Sequence, residues 1–568
     1  MKKLVLIFVL LLGVAALATV AGLLLGRGGA AAGGPTVLVW HLVGPVLEQA
    51  VPVLPFSDTV EADSLAELYP AFRAAREDRQ VRGLAVYIED AQFGLARAQE
   101  LRRQFMALRR AGKFVECYLE TAGEGSNGTL VYYLASACER IHMSPLGDVN
   151  LIGLAIENRF FKGTLEKLKI VPEFNKVGRY KSAVETYTEA GYSPAAEEAM
   201  AAILDGYYTQ IVTAVAEARK KTPDEIRWII DGAPYGAEDA VRRGLIDQIS
   251  YPDQFRDHLK KRAGGDANLL PVEDYAPATS ITARRVAVVF ASGTIVRGTG
   301  GSAPWTEEAY VGSNDLSSLL RDMAEDSSVA AVVLRIDSPG GSALASDLIL
   351  REVEKLKESK PLIVSMSDLA ASGGYYIAAK ADKIVAEPAT LTGSIGIFGG
   401  KFITRGFEEE MLGLSSDSLK RGANADMYSS LHPYTPEQSM LVQRQMDKVY
   451  SVFVGHVATG RRMSRQQVEG VASGRVWTGA AAKKLGLVDE LGGLDRAIEL
   501  AREAGGIGSG EDAAVVFYPE PESWLSLLFE ERPPRLPAAL TEVVKGLEIT
   551  TPRLLQLPPE AARLTRPF

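Results

Sequence analysis

Two short segments in the C-terminal half carry the residue types of an acyl-transfer site. Asp337-Ser338-Pro339-Gly340-Gly341-Ser342 follows one apolar, β-rich run, and Asp368-Leu-Ala-Ala-Ser372-Gly373-Gly374 follows the next. A Pro-Gly-Gly turn lets backbone approach a ligand closely and can aim N–H groups at a developing oxyanion. A serine on a sharp strand-to-helix turn is well placed as a nucleophile. The first N–H groups of the helix it opens lack internal partners, so Gly373 can offer one. Each segment alone has a plainer explanation: a connecting turn for Pro-Gly-Gly, a helix N-cap for Ser372. Their occurrence one βα unit apart favours chemistry.

A serine nucleophile needs a base. The five histidines (His41, His142, His258, His432 and His456) are scattered, with no HExxH and none beside these motifs. Metal hydrolysis is therefore a poor starting point, and neither a metal nor a cofactor is expected. A lysine can serve instead if an apolar site lowers its pKa from about 10.4 by about 3 units, or roughly 4 kcal/mol of differential solvation. The candidate is Lys181, in Val177-Gly-Arg-Tyr180-Lys181-Ser-Ala-Val-Glu185. Most lysines are solvated surface groups, and that is the competing explanation for this one.

These segments sit in an internally duplicated chain. Residues 232–247 (GAPYGAEDAVRRGLID) recur as 474–489 (GRVWTGAAAKKLGLVD), 242 positions later. Upstream, at the same offset, Tyr208, Val212, Val215, Ala216 and Arg219 fall on Tyr450, Val454, Val457, Ala458 and Arg461. Apolar steps of three and four predict a helix with one buried face in each copy. Earlier β-rich runs also correspond: 37–40 with 286–290, 81–88 with 329–336, and 114–118 with 362–366. Helical stretches over 95–110 and 343–358 separate them, which predicts βαβ units around a mostly parallel sheet. The serine motif occurs only in the second copy. The first has Glu89-Asp-Ala-Gln-Phe-Gly94 in place of the Pro-Gly-Gly turn, and Glu124-Gly-Ser126-Asn-Gly-Thr129 in place of Ser-Gly-Gly. The lysine motif occurs only in the first; the second has Arg421-Gly-Ala-Asn-Ala-Asp426 there. Whether Lys181 meets Ser372 within one chain or across a subunit boundary stays open on sequence alone.

The chain has 568 residues and a net charge of −9, with no strongly basic half, so nucleic acid is not an expected partner. Residues 4–25 form an uncharged, almost wholly apolar run behind Lys2 and Lys3. Its length suits a membrane-spanning helix, and the preceding lysines put the N-terminus in the cytoplasm. A cleaved signal peptide ending near Ala16-Leu17-Ala18 is the alternative. A disulfide between Cys117 and Cys138 is allowed outside the cytoplasm; two buried thiols are the other reading.

Four motifs together resemble the signal peptide peptidase A (protease IV) family in its long duplicated bacterial form: Tyr180-Lys-Ser-Ala-Val-Glu185, Ser338-Pro-Gly-Gly341, Ala371-Ser-Gly-Gly-Tyr375 and Leu391-Thr-Gly-Ser-Ile-Gly-Ile397. The resemblance covers roughly residues 37–500. It implies Ser372 as nucleophile, Lys181 as general base, Ser394 as the residue that orients the lysine, and an oxyanion hole from Gly341 and Gly373 with Gly340 in support. Asp337 departs from the asparagine that many relatives carry, which adds a charge near the centre.

The resemblance further implies an α/β fold of two tandem ClpP/crotonase-like domains preceded by a transmembrane helix. It also implies a homotetramer on the extracytoplasmic (periplasmic) face of the inner membrane, and apolar peptides such as remnant signal peptides as substrates. Boundaries follow as an anchor and tether over 1–35, repeats over 36–270 and 284–508, and a Pro-rich tail over 509–568. A crotonase-like acyl-CoA enzyme and a non-catalytic envelope scaffold are the rival functions.

Overall fold

The computed structural model describes residues 34–50, 62–275, 284–302, 309–508 and 513–520. The apolar run at 4–25 and most of the Pro-rich tail lie outside them. Among the described residues no helix is long and apolar enough to cross a membrane.

Each half is built on its own sheet. In the first, six parallel strands run in the order Gln248–Ile249, Arg140–Met143, Phe114–Leu119, Val81–Gln92, Thr36–Pro45, Asn268–Pro271. In the second the order is Val476–Thr478, Leu391–Gly393, Leu362–Ala371, Val329–Ser338, Arg285–Ser292, Ala514–Tyr518. Lys383–Ala386 also pairs with Leu362–Ala371, and Glu490–Leu491 lies beyond it. All these pairs are parallel except Leu391–Gly393 with Val476–Thr478.

Residue alternation explains why the strands are apolar throughout. Ala287, Val289 and Ala291 join one core cluster, while Val286, Val288 and Phe290 join another across the sheet. Helices cover both faces, so a polar side would have no water to meet. The first sheet repeats this, with Leu38, Trp40 and Leu42 on one face and Val37 and Val39 on the other.

The duplication is visible in detail. Helices Pro194–Arg219 and Pro436–Arg461 match end to end, and both stop at a left-handed residue, Lys220 or Arg462. Arg219 forks onto Asp247 as Arg461 does onto Asp489. Two short strands close the halves, one at the end of the first repeat and one in the stretch assigned to the tail. Asn268–Pro271 and Ala514–Tyr518 each add an edge to a sheet, beside Thr36–Pro45 and Arg285–Ser292 respectively. Cys117 and Cys138 are joined as a disulfide.

Two contacts lock the halves together. The strand Val171–Val177 of the first half pairs antiparallel with Ile397–Ile403 of the second, with Val177 opposite Ile397. The helix Leu95–Arg110 is buried on charged as well as apolar positions, among them Arg97, Glu100 and Arg102. Its polar side faces the second half, where Glu100 meets Arg335 and Arg103 meets Glu387.

Candidate active site

The inter-half strand pair decides where the lysine goes. Lys181 lies just past Val177, and Ser394 lies just before Ile397, so the Val177–Ile397 register brings both to one place. Two glycines, Gly178 and Gly474, then admit the lysine segment against residues 473–475. Gly178 has φ +109°, and a Cβ there would lie 2.4 Å from the Ser473 carbonyl carbon. Tyr180 N–H donates to the Ser473 carbonyl at 2.9 Å. Beside it the Tyr180 hydroxyl is 2.9 Å from Glu198 Oε2 and accepts from Arg475 Nη1 at 3.1 Å.

Lys181 ends up 4% exposed. Its Nζ is 3.0 Å from Ser372 Oγ, 2.9 Å from Ser394 Oγ and 3.0 Å from the Ser394 carbonyl oxygen. Burial lowers its pKa to about 8. Desolvation disfavours the ammonium form, so a neutral amine becomes accessible near physiological pH. The dyad is complete within one chain.

Ser372 ends the strand Leu362–Ala371 and precedes the helix Gly373–Ala378. Its φ of 55° with ψ of −116° is a conformation that L-residues rarely adopt. The N-cap explanation fails because its side chain makes no capping bond. The backbone is pinned instead by Ser372 N–H donating to Gly393 O at 2.9 Å, which leaves Oγ to Lys181. Ser394 is likewise at positive φ, 53°, and is fixed by its N–H to the Arg475 carbonyl at 2.8 Å.

The Pro-Gly-Gly turn packs directly on the serine elbow. A Cβ on Gly340 would lie 2.4 Å from Gly373 N, and one on Gly373 would lie 3.1 Å from Gly341 N. Ile295 holds the turn from outside, its N–H donating to Gly340 O and its carbonyl accepting from Ser342 N–H. Gly340 N–H donates to Ser338 Oγ at 3.1 Å. Gly340 is thus engaged, while the N–H groups of Gly341 and Gly373 have no hydrogen-bond partner among the described residues. Two such donors beside a buried amine and a hydroxyl can stabilise an oxyanion.

Sequence reasoning missed the residue that ties these turns together. Arg97 of the first half places Nη2 2.6 Å from Asp337 Oδ2 and 3.0 Å from Glu48 Oε1, and its backbone N–H donates to Asp368 Oδ1 at 3.0 Å. Asp337 in turn accepts from Leu369 N–H at 3.0 Å. One guanidinium therefore spans the approaches to both motifs. Arg97, Glu100 and Arg103 recur at spacing three, a charged stripe that in isolation reads as a solvated helix face. Asp337 does add a charge, and it is poorly compensated: burial and then Glu48 raise its pKa to about 6 despite Arg97. Glu48 is held down to about 2 by Arg335 and Arg97 in spite of its own burial. Neither His432 nor His456 joins the centre; they lie against Asp426 and Asp347.

Comparisons with known proteins identify the family of the chain. The model of peptidase family S49 matches residues 115–265 and again 354–507, once in each half. The chain is 33% identical to "Serine protease SPPA, chloroplastic" of Arabidopsis thaliana over 81% of its own length and 69% of the relative's. It is 32% identical to "Protease 4" of Salmonella typhi, over 86% of its length and 79% of the relative's. A shorter protein, "Putative signal peptide peptidase SppA" of Enterococcus faecium, is 35% identical over 39% of this chain and 64% of its own. With both halves matched and the first two alignments running across most of its length, the chain belongs to peptidase family S49 and is a serine peptidase.

Proposed function

We propose that the chain is a Ser/Lys-dyad endopeptidase that hydrolyses apolar peptides at Ser372. The observation that carries this reading is the triple contact of the buried Lys181 Nζ with Ser372 Oγ, Ser394 Oγ and the Ser394 carbonyl. Neutral Lys181 takes the Ser372 proton as Oγ attacks the scissile carbonyl carbon. The carbonyl π electrons move to oxygen, where Gly341 and Gly373 N–H groups stabilise them. Collapse of the tetrahedral species expels the amine, which takes the proton from Lys181. Water, deprotonated by Lys181, then attacks the ester; the second tetrahedral species expels Ser372 Oγ, which takes the proton back from Lys181 as the acid leaves. Ser394 keeps the amine aimed throughout.

The wider assignment follows the sequence. Residues 4–25 anchor the chain in the inner membrane, and the two halves are ClpP/crotonase-like domains on its extracytoplasmic side. Remnant signal peptides are the substrates, and four copies assemble into a homotetramer. The name of the Enterococcus relative, a signal peptide peptidase, supports the substrate class.

The test is labelling of the detergent-solubilised full chain with a fluorophosphonate, followed by peptide mass mapping. The adduct is expected on Ser372, with labelling lost in Ser372→Ala and strongly slowed in Lys181→Ala. An adduct on another residue, or wild-type labelling of Lys181→Ala, would overturn the assignment.

A further inference from the structure

A second polar cluster, sharing no residue with the Ser372 centre, lies between the first sheet and the helix Pro252–Ala263. Glu116 projects from Phe114–Leu119, His142 from the adjacent Arg140–Met143, and His258 from the helix. Glu116 and His142 are completely buried, and the His258 side chain is 26% exposed. One ligand atom from each lies within 4.8 Å of the others. His142 Nε2 is 3.5 Å and His258 Nε2 is 3.0 Å from Glu116 Oε2.

The buried His142 Nε2 makes no hydrogen bond among the described residues, and Glu116 Oε2, also without one, has its ion-pair contact with His258 Nε2. Native proteins seldom leave such groups unmatched. Their surroundings are otherwise well partnered. Arg262 Nη1 takes the other carboxylate oxygen, Glu116 Oε1, which also lies 3.3 Å from His258 Nε2, and Arg262 Nη2 pairs with Glu139 Oε2 at 2.8 Å. Ser250 Oγ lies 3.2 Å from His142 Nδ1, which turns Nε2 toward Glu116. Phe255 packs on the His142 ring.

We propose that Glu116 Oε2, His142 Nε2 and His258 Nε2 bind one divalent transition-metal ion of the Zn2+ class. Two imidazoles and a carboxylate suit Zn2+ rather than the oxygen-seeking Ca2+ or Mg2+. With ligand bonds of about 2.0–2.1 Å, tetrahedral ligands stand about 3.3–3.4 Å apart. The separations of 3.0 and 3.5 Å bracket that value. Arg262 on Oε1 and Ser250 on Nδ1 are the outer contacts that orient metal ligands, and Glu139 offsets the Arg262 charge. The partly exposed His258 marks the way in and leaves a fourth position for water. The ion fastens the helix to two strands of the first sheet and takes no part in peptide hydrolysis.

The untagged full chain, stripped with EDTA and titrated with Zn2+ by calorimetry, is expected to bind one equivalent that raises its melting temperature. Co2+ in its place should give the visible spectrum of a tetrahedral N/O site. His258→Ala, on the partly exposed helix, should keep the fold and weaken Zn2+ binding at least about tenfold, whereas His456→Ala should bind as wild type does. Glu116→Gln, a second variant should His258→Ala fail to fold, should weaken Zn2+ binding likewise. Absence of saturable Zn2+ binding, or undiminished affinity in His258→Ala, would overturn the proposal.

Discussion

Gly474 and Lys181 are in backbone contact. A Cβ on Gly474 would lie 2.5 Å from Lys181 N and 2.6 Å from Lys181 Cβ, and the glycine has φ +79°. The second half thus carries a residue whose lack of a side chain seats the base of the first. Gly474→Ala must push Lys181 away from Ser372. Misplacement by about 1 Å costs about 100-fold in rate, so kcat/KM should fall by about that factor. Circular dichroism of the variant should stay that of wild type. A variant with wild-type kcat/KM would show that the contact does not position the base.

On the proposed mechanism Lys181 sets the pH profile. The reaction uses its neutral form, and burial brings its pKa down to about 8. kcat/KM should therefore rise with pH through a single midpoint near 8 and level off above it. General-base catalysis contributes about 10²–10⁴-fold. Lys181→Ala should lose at least that much and flatten the profile. A midpoint that survives in Lys181→Ala would assign the ionisation to another group.

The oxyanion turn tolerates no side chain at Gly341. Its φ is +152°, and a Cβ there would lie 2.1 Å from the Ile295 carbonyl oxygen. Gly341→Ala must shift the N–H that the proposed mechanism aims at the oxyanion. Loss of one oxyanion donor costs about 10²–10³-fold in kcat. Steady-state assays should show that loss with KM little changed. A rise in KM at constant kcat would place Gly341 in substrate binding instead.

Arg97 and Asp337 make stability depend on pH. The Asp337 pKa of about 6 in the folded chain exceeds the ordinary aspartate value of 3.8. Between those values the folded state keeps a proton that the unfolded chain has released. Native stability therefore declines as pH rises through that window. Asp337→Asn should flatten the decline, as read by chemical denaturation at about pH 4 and about pH 7. Arg97→Ala should act oppositely, since it strands Glu48, Asp337 and Asp368. Breaking such a buried pair costs about 3–5 kcal/mol. An unchanged pH slope in Asp337→Asn would mean that another carboxylate governs it.

The motifs and the duplication were legible because both are local patterns. Ser-Pro-Gly-Gly, Ala-Ser-Gly-Gly and the lysine motif announce their turns. The 242-residue repeat places Pro194–Arg219 on Pro436–Arg461 without a gap. The fastening between the halves was not legible. Val171–Val177 and Ile397–Ile403 pair across a long sequence separation, and neither strand names its partner. Arg97 was hidden for a related reason. Its charge looks like solvent exposure until the second half covers it. Gly474 stood out only as the first residue of a repeat, and nothing local shows that the backbone of another segment rests on it.

The pairing of Val171–Val177 with Ile397–Ile403 has a consequence for dilution. Were the two halves separate polypeptides, the base would find its nucleophile only as often as the partners met, and activity per molecule would fade at low concentration. A covalent tether makes that encounter intramolecular, at an effective concentration set by the connection alone. Turnover per chain should then owe nothing to how crowded the chains are, so far as the dyad is concerned. Any dependence on protein concentration would report on contacts between copies.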